Sequence, residues 1–460
     1  MIIMEEIRDN IRELMYGFTN ADSKVDIAVT SPTEVDVQLD GKFFNTYLIK
    51  EKKFKHNIVQ ETEQKSEFRM DITIIRPDIA DEYKQYRGAP LQLPATEFEI
   101  KDALCRARVS ENSQTYRISE CVVYDKDIVT EYLTRNYETD LEELNYLAKV
   151  MSRFDNHEHE LFKGYMAMKG PFVLSIKDLI NAAYNLHCCD LTYDIDEDEM
   201  LGKYYADNGM LEWLGDAHKK VWENLDYTKI GREIREKENG IYTESGYFVF
   251  NSNEYSVVYD GGEFPEKFID DGYIFKLLIA RSETGRAADG KWLSLPASKE
   301  RKASFAKDLG AESLDECILL AVQSIECNMP MCITGLSQIG MLNSLAHRMR
   351  DMAKSGEFAK FMAVLEGVGF SDLNEAVNLA NTLQEYELYE KPSTVIEFAK
   401  DWLERTYKEV LPESVFQHIN FATYAEELIT QHKLALSEYG IVKHIDKTEG
   451  SFEGKRQPEV

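Results

Sequence analysis

The feature that most constrains the fold of this chain is an internal repeat. The pattern Leu-x-Leu-Pro-Ala occurs at 91–95 and again at 293–297, and each time it follows a segment typical of a β-strand. Repeats of this size arise from duplicated structural units, so we expect two copies of one fold in tandem, each able to fold alone. Three further matches follow in the same order and pair 144–151 with 342–349, 178–182 with 372–376, and 225–227 with 419–421.

Each copy is predicted to begin with strands and one helix and to continue as a helical bundle. In copy 1, alternating apolar residues predict a strand over 116–124, and Thr96 is the predicted N-cap of the helix before it. Helical periodicity then extends over 138–238. A strand pair over 241–250 and 255–259 closes the copy.

The predicted fold class is α+β, with a small α+β N-terminal domain followed by two tandem units in an elongated chain. Each unit consists of a small α/β subdomain and a helical bundle. In the N-terminal domain, the basic stretch 50–56 is interpreted as a solvated strand end, and binding of an acidic surface is the alternative. The N-terminal domain covers 1–60, the α/β subdomains 66–135 and 270–330, the helical parts 136–262 and 331–445, and a disordered tail 446–460.

The chain is strongly acidic. Its 460 residues include 82 Asp and Glu against 53 Lys and Arg, a formal net charge of -29. Such a surplus repels nucleic acid and anionic membranes and attracts basic partners, through a field that 0.1 M salt screens within about 10 Å. B-form DNA carries one charge per roughly 1.7 Å, so this charge corresponds to about 50 Å of duplex. Solubility is the alternative explanation, and composition alone favours it.

The sequence contains no recognisable catalytic or cofactor-binding pattern. Gly-x-Ser-x-Gly, P-loop and Gly-x-Gly-x-x-Gly sequences are absent, so we expect neither enzyme activity nor a cofactor. Seven cysteines without a Cys-x-x-Cys pair indicate reduced thiols, and no apolar run reaches the ~20 residues that span a bilayer, so a cytoplasmic protein is expected. Calcium at 194–199 and zinc at 157–159 are alternatives that lack the spacing of known sites. Tyr146, Trp213, Trp222 and Trp402 are interpreted as core residues.

A segment in the helical part of each copy resembles the antirestriction motif of ArdA-type antirestriction proteins. Residues 411–428 have its apolar-Pro start, its short helix and its aromatic-Ala step before an acidic run, and 225–234 keeps the acidic-aromatic step and the arginine. Both copies depart from the family pattern: His218 replaces a proline, and Asn420, Phe421 and Glu426 replace Asp, Tyr and Arg. The residues assigned to the motif are Tyr227, Ile230, Gly231, Arg232, Pro412, Phe421, Tyr424, Glu426 and Glu427.

The resemblance implies a non-catalytic antirestriction protein of a mobile element whose surface carboxylates imitate the phosphates of bent DNA. The partner would be a DNA-binding defence enzyme, in the first place a type I restriction-modification complex, with no binding to nucleic acid or membrane. The alternatives are an inhibitor of another defence system such as a CRISPR effector, an acidic regulatory protein, and an enzyme within 1–60 or at the copy junction. Family members often dimerise, so we expect a homodimer or a monomer in which 411–428 pairs internally with its counterpart.

The predicted contacts with the partner are carboxylates on the helical parts. Side chains three or four residues apart on a helix lie about 5–6 Å apart, so rows of acids can follow a phosphate track. The densest cluster lies at 190–199, where no basic residue occurs. A solvated helix start is the alternative, since acids are favoured at helix N-termini. The assigned acids are Asp190, Asp194, Asp196, Glu197, Asp198, Glu199, Asp207, Glu212, Asp216, Glu223 and Asp226 in copy 1, and Glu385, Glu387, Glu390, Glu397, Asp401, Glu404, Glu409 and Glu413 in copy 2.

Overall fold

The computed structural model describes residues 70–83, 86–109, 116–131, 140–172, 175–215, 219–222, 224–268, 272–282, 290–325, 329–392, 394–407 and 412–445, together with four strands before residue 58. These strands are β1 (Val25–Ser31), β2 (Glu34–Leu39), β3 (Lys42–Lys50) and β4 (Lys53–Asn57), and they form one antiparallel sheet in that order. The basic stretch 50–56 therefore belongs largely to β4. The helical part of the predicted N-terminal domain and the tail 446–460 lie outside the described residues.

Copy 1 begins with an antiparallel sheet in the order β6-β5-β7-β8 and continues as helices around a second sheet in the order β10-β11-β9. The elements of its first part are β5 (Met70–Ile75), α1 (Pro77–Glu82), β6 (Ala89–Leu93), α2 (Glu97–Arg106), β7 (Arg117–Val123), β8 (Lys126–Asp127) and α3 (Ile128–Glu131). Those of its second part are α4 (Leu141–Met151), α5 (Asn156–Lys169), α6 (Ile176–Tyr184), β9 (Cys189–Tyr193), α7 (Asp198–Asp207), α8 (Lys219–Trp222), α9 (Tyr227–Glu238), β10 (Ile241–Thr243) and β11 (Gly246–Phe250).

Copy 2 repeats this order, with sheets β13-β12-β14 and β15-β17-β16. Its first part contains β12 (Phe275–Arg281), β13 (Lys291–Leu295), α10 (Lys299–Asp308) and β14 (Cys317–Ser324). Its second part contains α11 (Ile339–Ser355), α12 (Phe358–Val368), α13 (Leu373–Asn381), β15 (Tyr386–Tyr389), α14 (Val395–Tyr407), α15 (Glu413–Phe416), α16 (Phe421–His432), β16 (Leu434–Ser437) and β17 (Gly440–His444). The tandem α+β architecture predicted from the sequence is confirmed.

The two first sheets share details that go beyond strand order. The central strand of each has a register shift, between Thr73 and Ile74 in β5 and between Leu278 and Ile279 in β12. In both copies the peptide bond before the proline of Leu-x-Leu-Pro-Ala is cis. The helix that follows has a polar N-cap, and the predicted cap Thr96 forms a capping box with Glu99.

Two of the sequence matches lie against each other in both copies. The amide nitrogen of Ala95 donates a hydrogen bond to Oδ1 of Asn145 at 2.8 Å, and that of Ala297 donates to Oδ1 of Asn343 at 2.7 Å. Asn145 also donates from Nδ2 to the carbonyl of Ala95. A buried peptide group left without a partner costs about 1–3 kcal/mol, which explains why this asparagine is retained in two otherwise divergent copies.

One sequence match was wrong by a helical turn. Asp372 is the N-cap of α13, whereas Asp178 lies inside the first turn of α6 and the N-cap there is Ser175. The structural counterpart of Asp372 is therefore Ser175. Both helices place a carboxylate in a capping interaction with the first turn, so similar residues occur at non-equivalent positions.

The predicted strand at 255–259 was also wrong. The segment is irregular and is held by two buried asparagines of α6 and its C-terminal end. Asn181 accepts a hydrogen bond from the amide of Val258 at 2.8 Å, and Asn185 accepts one from that of Ser256 at 2.9 Å. β11 pairs with β10 on one side and with β9 on the other. The strand β9 was not predicted because acidic and polar residues follow it directly.

The two copies meet along a seam that is formed by α2 of copy 1 and the bundle of copy 2. Phe98 of α2 lies in the hydrophobic core of copy 2 and makes an edge-to-face contact with Phe358 of α12, with ring centroids 6.4 Å apart. Asp102 of α2 accepts hydrogen bonds from Arg106, at 2.8 Å, and from the buried hydroxyl of Tyr439 in the β16–β17 turn. The seam therefore combines apolar packing with a buried polar network.

The seam extends beyond α2. Nη1 of Arg108 donates to the carbonyls of Lys391 and Pro392, both at 3.0 Å. The hydroxyl of Tyr83 donates to Asp401 at 2.9 Å. The first part of copy 1 thus covers one side of the second part of copy 2.

Candidate partner-binding surface

The acidic cluster predicted at 190–199 belongs to a compact lobe of copy 1, which we call lobe 1 and define as residues 189–250. It contains the sheet β10-β11-β9 and the packed helices α7 and α9. The helices cross at Gly202 and Gly231, where a Cβ on Gly231 would lie 1.8 Å from the carbonyl oxygen of Asp198. The corresponding positions of lobe 2, residues 386–444, are the buried alanines Ala399 and Ala425. Small residues at this crossing allow the two helices to approach closely.

Most residues of the antirestriction-like segments pack within their own lobe. Gly231 is buried at the crossing, Ile230 packs in the core of lobe 1, and the hydroxyl of Tyr227 donates to the carbonyl of Trp222 at 2.9 Å. In lobe 2, Phe421 and Tyr424 pack against the core around Phe398. Contacts such as Tyr227–Trp222 for α9 and His432–Trp402 for α16 lie within one copy, whereas the seam joins the two copies elsewhere. The motif residues exposed to solvent are Arg232, Pro412, Glu426 and Glu427.

Asp198 does not point outward as a free carboxylate. It accepts hydrogen bonds from Arg235 at 2.8 Å and from the hydroxyl of Tyr242 at 2.8 Å, and Arg232 lies 3.6 Å away. The hydrogen bond from Arg235 holds the pKa of this carboxyl below its usual range. Asp198 therefore links α7 to α9 and β10, and its carboxylate is engaged within the lobe.

The remaining acids of the cluster surround the start of α7 and are exposed. Glu199 forms an ion pair with Lys203 on the next turn, and Asp190 accepts a hydrogen bond from Asn251 at 3.1 Å. Asp226 is exposed and also caps α9 by accepting from the amide of Lys229. Asp216 and Glu223 lie outside the described residues. The predicted acids of lobe 1 that are exposed are Asp190, Asp194, Asp196, Glu197, Glu199, Asp207, Glu212 and Asp226.

The acids of lobe 2 are less available. Asp401 accepts the hydrogen bond from Tyr83 across the seam, and burial raises the pKa of Glu390, which lies near Arg76 and Arg108 of copy 1. Glu397 closes the first turn of α14 by accepting from the amide of Thr394. Glu385, directly before lobe 2, is partly buried, the side chain of Glu413 is not described, and Glu409 lies outside the described residues. Glu387 and Glu404 are exposed.

Two features of this surface were missed by sequence reasoning. Glu233 and Glu236 of α9 are exposed and extend the acidic surface of lobe 1, but their neighbours Arg232, Arg235 and Lys237 concealed them in the sequence. Trp213, which was assigned to the core, has 66% of its surface exposed. Tyr146 is buried as predicted, and Trp222 and Trp402 are half-buried.

The described part of the chain contains no group of three or more His, Cys, Asp or Glu side chains arranged to hold a metal ion. His157, in the zinc alternative, contacts the hydroxyl of Tyr193 at 2.7 Å, and His159 is buried against Tyr124 and Phe154. Across the helices described, no segment is both long and apolar enough to cross a membrane.

Comparison with known proteins agrees with the duplicated architecture. A search of curated proteins gives no significant match. The family model described as antirestriction protein (ArdA) matches residues 84–249 and, a second time, residues 283–443. The two matches coincide with the two structural copies and together cover more than half of the chain. The chain therefore belongs to the ArdA family of antirestriction proteins, with two ArdA units in tandem.

Proposed function

We propose that the chain inhibits a type I restriction-modification enzyme by placing the carboxylates of lobe 1 in the DNA-binding groove of that enzyme. The observation that carries the proposal is the exposed group Asp194, Asp196, Glu197 and Glu199 around the start of α7. A groove built to bind phosphates carries Lys and Arg, so it attracts carboxylates by the same electrostatic forces. This activity requires no cofactor and no chemical step, and it takes place in the cytoplasm, where the target acts.

The proposal requires acids that are held in fixed positions. The group lies between β9, which pairs with β11, and α7, which is bound to α9 by the Asp198–Arg235 ion pair and by the glycine crossing. Carboxylates on such a support lose little conformational freedom on binding, so more of the electrostatic attraction contributes to affinity.

Lobe 1 rather than lobe 2 is the proposed binding surface. In lobe 2, the first part of copy 1 contacts Asp401 directly, and Arg76 and Arg108 partly neutralise the surroundings of Glu390. In lobe 1, Glu199 contacts Lys203 of the same lobe and Asp190 contacts Asn251 directly after it, and both partners belong to copy 1. The duplication thus leaves one acidic lobe open and one partly covered.

A competition assay tests the proposal. A purified type I enzyme is bound to a labelled DNA duplex, and we measure the concentration of this protein that displaces the DNA. The measurement is repeated from about 50 to about 200 mM salt, because the affinity of a protein for DNA falls about 10³–10⁵-fold over this range. We expect displacement that weakens as salt rises. Failure to displace DNA at any salt concentration would contradict the proposal.

A matched pair of variants locates the surface. Changing Asp194, Asp196, Glu197 and Glu199 to Asn or Gln should weaken displacement and reduce its salt dependence, because four phosphate-like contacts are lost. The control changes four exposed acids of the first part of copy 1 in the same way, which alters the net charge equally. Equal loss in both variants would show that overall acidity, and not this surface, causes inhibition. The control acids are Asp71, Asp81, Glu82 and Asp125.

A further inference from the structure

Large apolar side chains are exposed within the acidic surface of lobe 1. Trp213, Met210 and Val221 have 66%, 50% and 47% of their surfaces exposed. Leu211 and Leu214 of the same turn are buried against the core of lobe 1, so the turn is anchored and Trp213 is held outward. Exposure of several large apolar residues within one short segment is unusual and is typical of interaction sites.

Lobe 2 exposes apolar residues in the same region. The third residue of each short helix is an exposed valine, Val221 in α8 and Val415 in α15, whereas Tyr407 is the last residue of α14 and Trp213 lies in the turn after α7. Tyr407 and Val415 are each 45% exposed. The two copies differ at most positions, so an outward valine at the same place in both is better explained by a shared role than by chance.

We propose that Trp213, with Met210 and Val221, is an apolar anchor that inserts into the DNA-binding groove of the target enzyme, an inference that rests on the proposed function. Carboxylates speed association and make it salt-dependent, whereas buried aromatic residues mainly slow dissociation. Trp is among the residues most enriched at the energetic centres of interfaces. The anchor therefore supplies affinity that salt does not screen and that DNA itself lacks.

The charges around the anchor favour a basic partner over a second copy of this chain. Asp207, Glu212 and Asp226 are exposed beside it in lobe 1, and Lys229 nearby lies 3.9 Å from Glu233. The corresponding surface of lobe 2 exposes Glu404, Glu426 and Glu427. Self-association through either surface would bring acids together within the screening length of about 8 Å, whereas a phosphate-binding groove is complementary to both.

Binding of Trp213→Ala to the purified target enzyme, measured at low and high salt, tests the anchor. We expect an affinity about 30-fold weaker at every salt concentration, with an unchanged salt dependence, since truncation of an anchoring Trp typically costs this factor or more. The control is Phe172→Ala, because Phe172 is 75% exposed but lies outside the lobe, and it should bind as the wild type does. Wild-type affinity of a folded Trp213→Ala variant, with inhibition intact, would overturn the anchor and leave the proposed function standing.

Tryptophan fluorescence gives an independent measurement. The other three tryptophans, Trp222, Trp292 and Trp402, are half-buried, so quenching by acrylamide in the free protein should come mainly from Trp213. Protection on adding the target enzyme, absent in Trp213→Phe, supports the anchor. If DNA and this protein do not compete at all, the proposed function fails and the anchor fails with it. If Trp213 is already protected from acrylamide without the enzyme, and light scattering gives a doubled mass that Trp213→Ala abolishes, the occupant is a second copy of this chain. That result would overturn the assignment.

Discussion

Phe98→Ala is the sharpest test of how the two copies are joined. Phe98 belongs to α2 of copy 1, but only 7% of it is exposed because it is packed in the core of copy 2. The ring contacts Phe358 edge to face, and the guanidinium of Arg350 lies 5.9 Å from its centroid. Truncation therefore removes a core side chain of copy 2 without changing the sequence of copy 2.

The expected cost is about 3–5 kcal/mol, the range for Phe→Ala in a packed core, and the cation–π contact adds about 0.5–1 kcal/mol. A domain is stabilised by only about 5–15 kcal/mol, so this loss is a large part of the free energy of unfolding of copy 2. By differential scanning calorimetry we expect the wild type to unfold with the two copies coupled. The variant should show a separate, earlier transition for copy 2.

The matched control is Glu300→Ala in α10, since Glu300 occupies the position of Phe98 in the repeated helix but is exposed. The Glu300 carboxylate interacts with Ser298 at the start of its own helix, so its removal should leave the seam intact and the two copies coupled. A Phe98→Ala protein with the wild-type melting profile would refute the assignment of Phe98 to a shared core.

Further expectations concern buried polar groups. Asn145→Ala and Asn343→Ala should each lower the free energy of unfolding in urea by about 1–3 kcal/mol, and the effect should be larger for Asn145, which makes two hydrogen bonds to Ala95. Equal and negligible losses would contradict this expectation. Burial lowers the pKa of His159 to about 4, so between pH ~6.5 and 4 the unfolded state binds a proton that the folded state does not. The free energy of unfolding should therefore fall by up to about 3 kcal/mol as pH decreases across that window, and His159→Gln should flatten this pH dependence. Asp198→Asn should cost about 1–3 kcal/mol near neutral pH. The difference should begin to shrink only as pH falls below about 4, the ordinary range of an Asp pKa, and should vanish below the depressed pKa of the folded state; a difference that stays constant through this range would exclude the ion pair as the cause.

The repeat made most of the architecture predictable. Leu-x-Leu-Pro-Ala and the asparagines at 145 and 343 are retained because they form one hydrogen-bonded contact in each copy, so they marked equivalent positions correctly. Helix starts followed from side chains that act locally, such as Thr96. The match of Asp178 to Asp372 failed because acids are favoured at several positions of a first turn, and a local pattern cannot distinguish them.

The exposure of individual side chains was predicted less well, because it depends on tertiary contacts. In the sequence, Asp198 is one acid in a cluster, and only the folding of α9 and β10 against α7 brings Arg235 and Tyr242 to it. Trp213 was assigned to the core because of its size, although Leu211 and Leu214 fill that role in the same turn. Nothing local to α2 indicates that Phe98 packs in the other copy.

The seam also changes what is expected of the separated copies. From the sequence, residues 66–262 and 270–445 were each expected to fold alone. In the structure, a fragment 66–262 would expose Phe98, and a fragment 270–445 would lose that side chain from its core and leave the hydroxyl of Tyr439 without Asp102. We therefore expect both fragments to be less stable than the same copies in the full chain and to bind each other when mixed.

The fragment experiment separates two kinds of duplication. If the copies were independent, each fragment would melt cooperatively, mixing would change neither melt, and Phe98→Ala would have no effect. If the seam completes copy 2, mixing should raise the melting temperature of 270–445 in a concentration-dependent way, as expected for a ligand that binds only the folded state. Phe98→Ala in fragment 66–262 should abolish that rise, whereas Phe172→Ala, outside the seam, should not.

Because the same seam partly covers lobe 2, fragment 270–445 should also gain accessible acids at Glu390 and Asp401 when copy 1 is absent. The folded fragment 270–445 is then compared with a full chain in which the acids of lobe 1 are neutralised. If the fragment inhibits the target enzyme and the full chain does not, coverage by copy 1, and not the sequence of copy 2, keeps lobe 2 inactive.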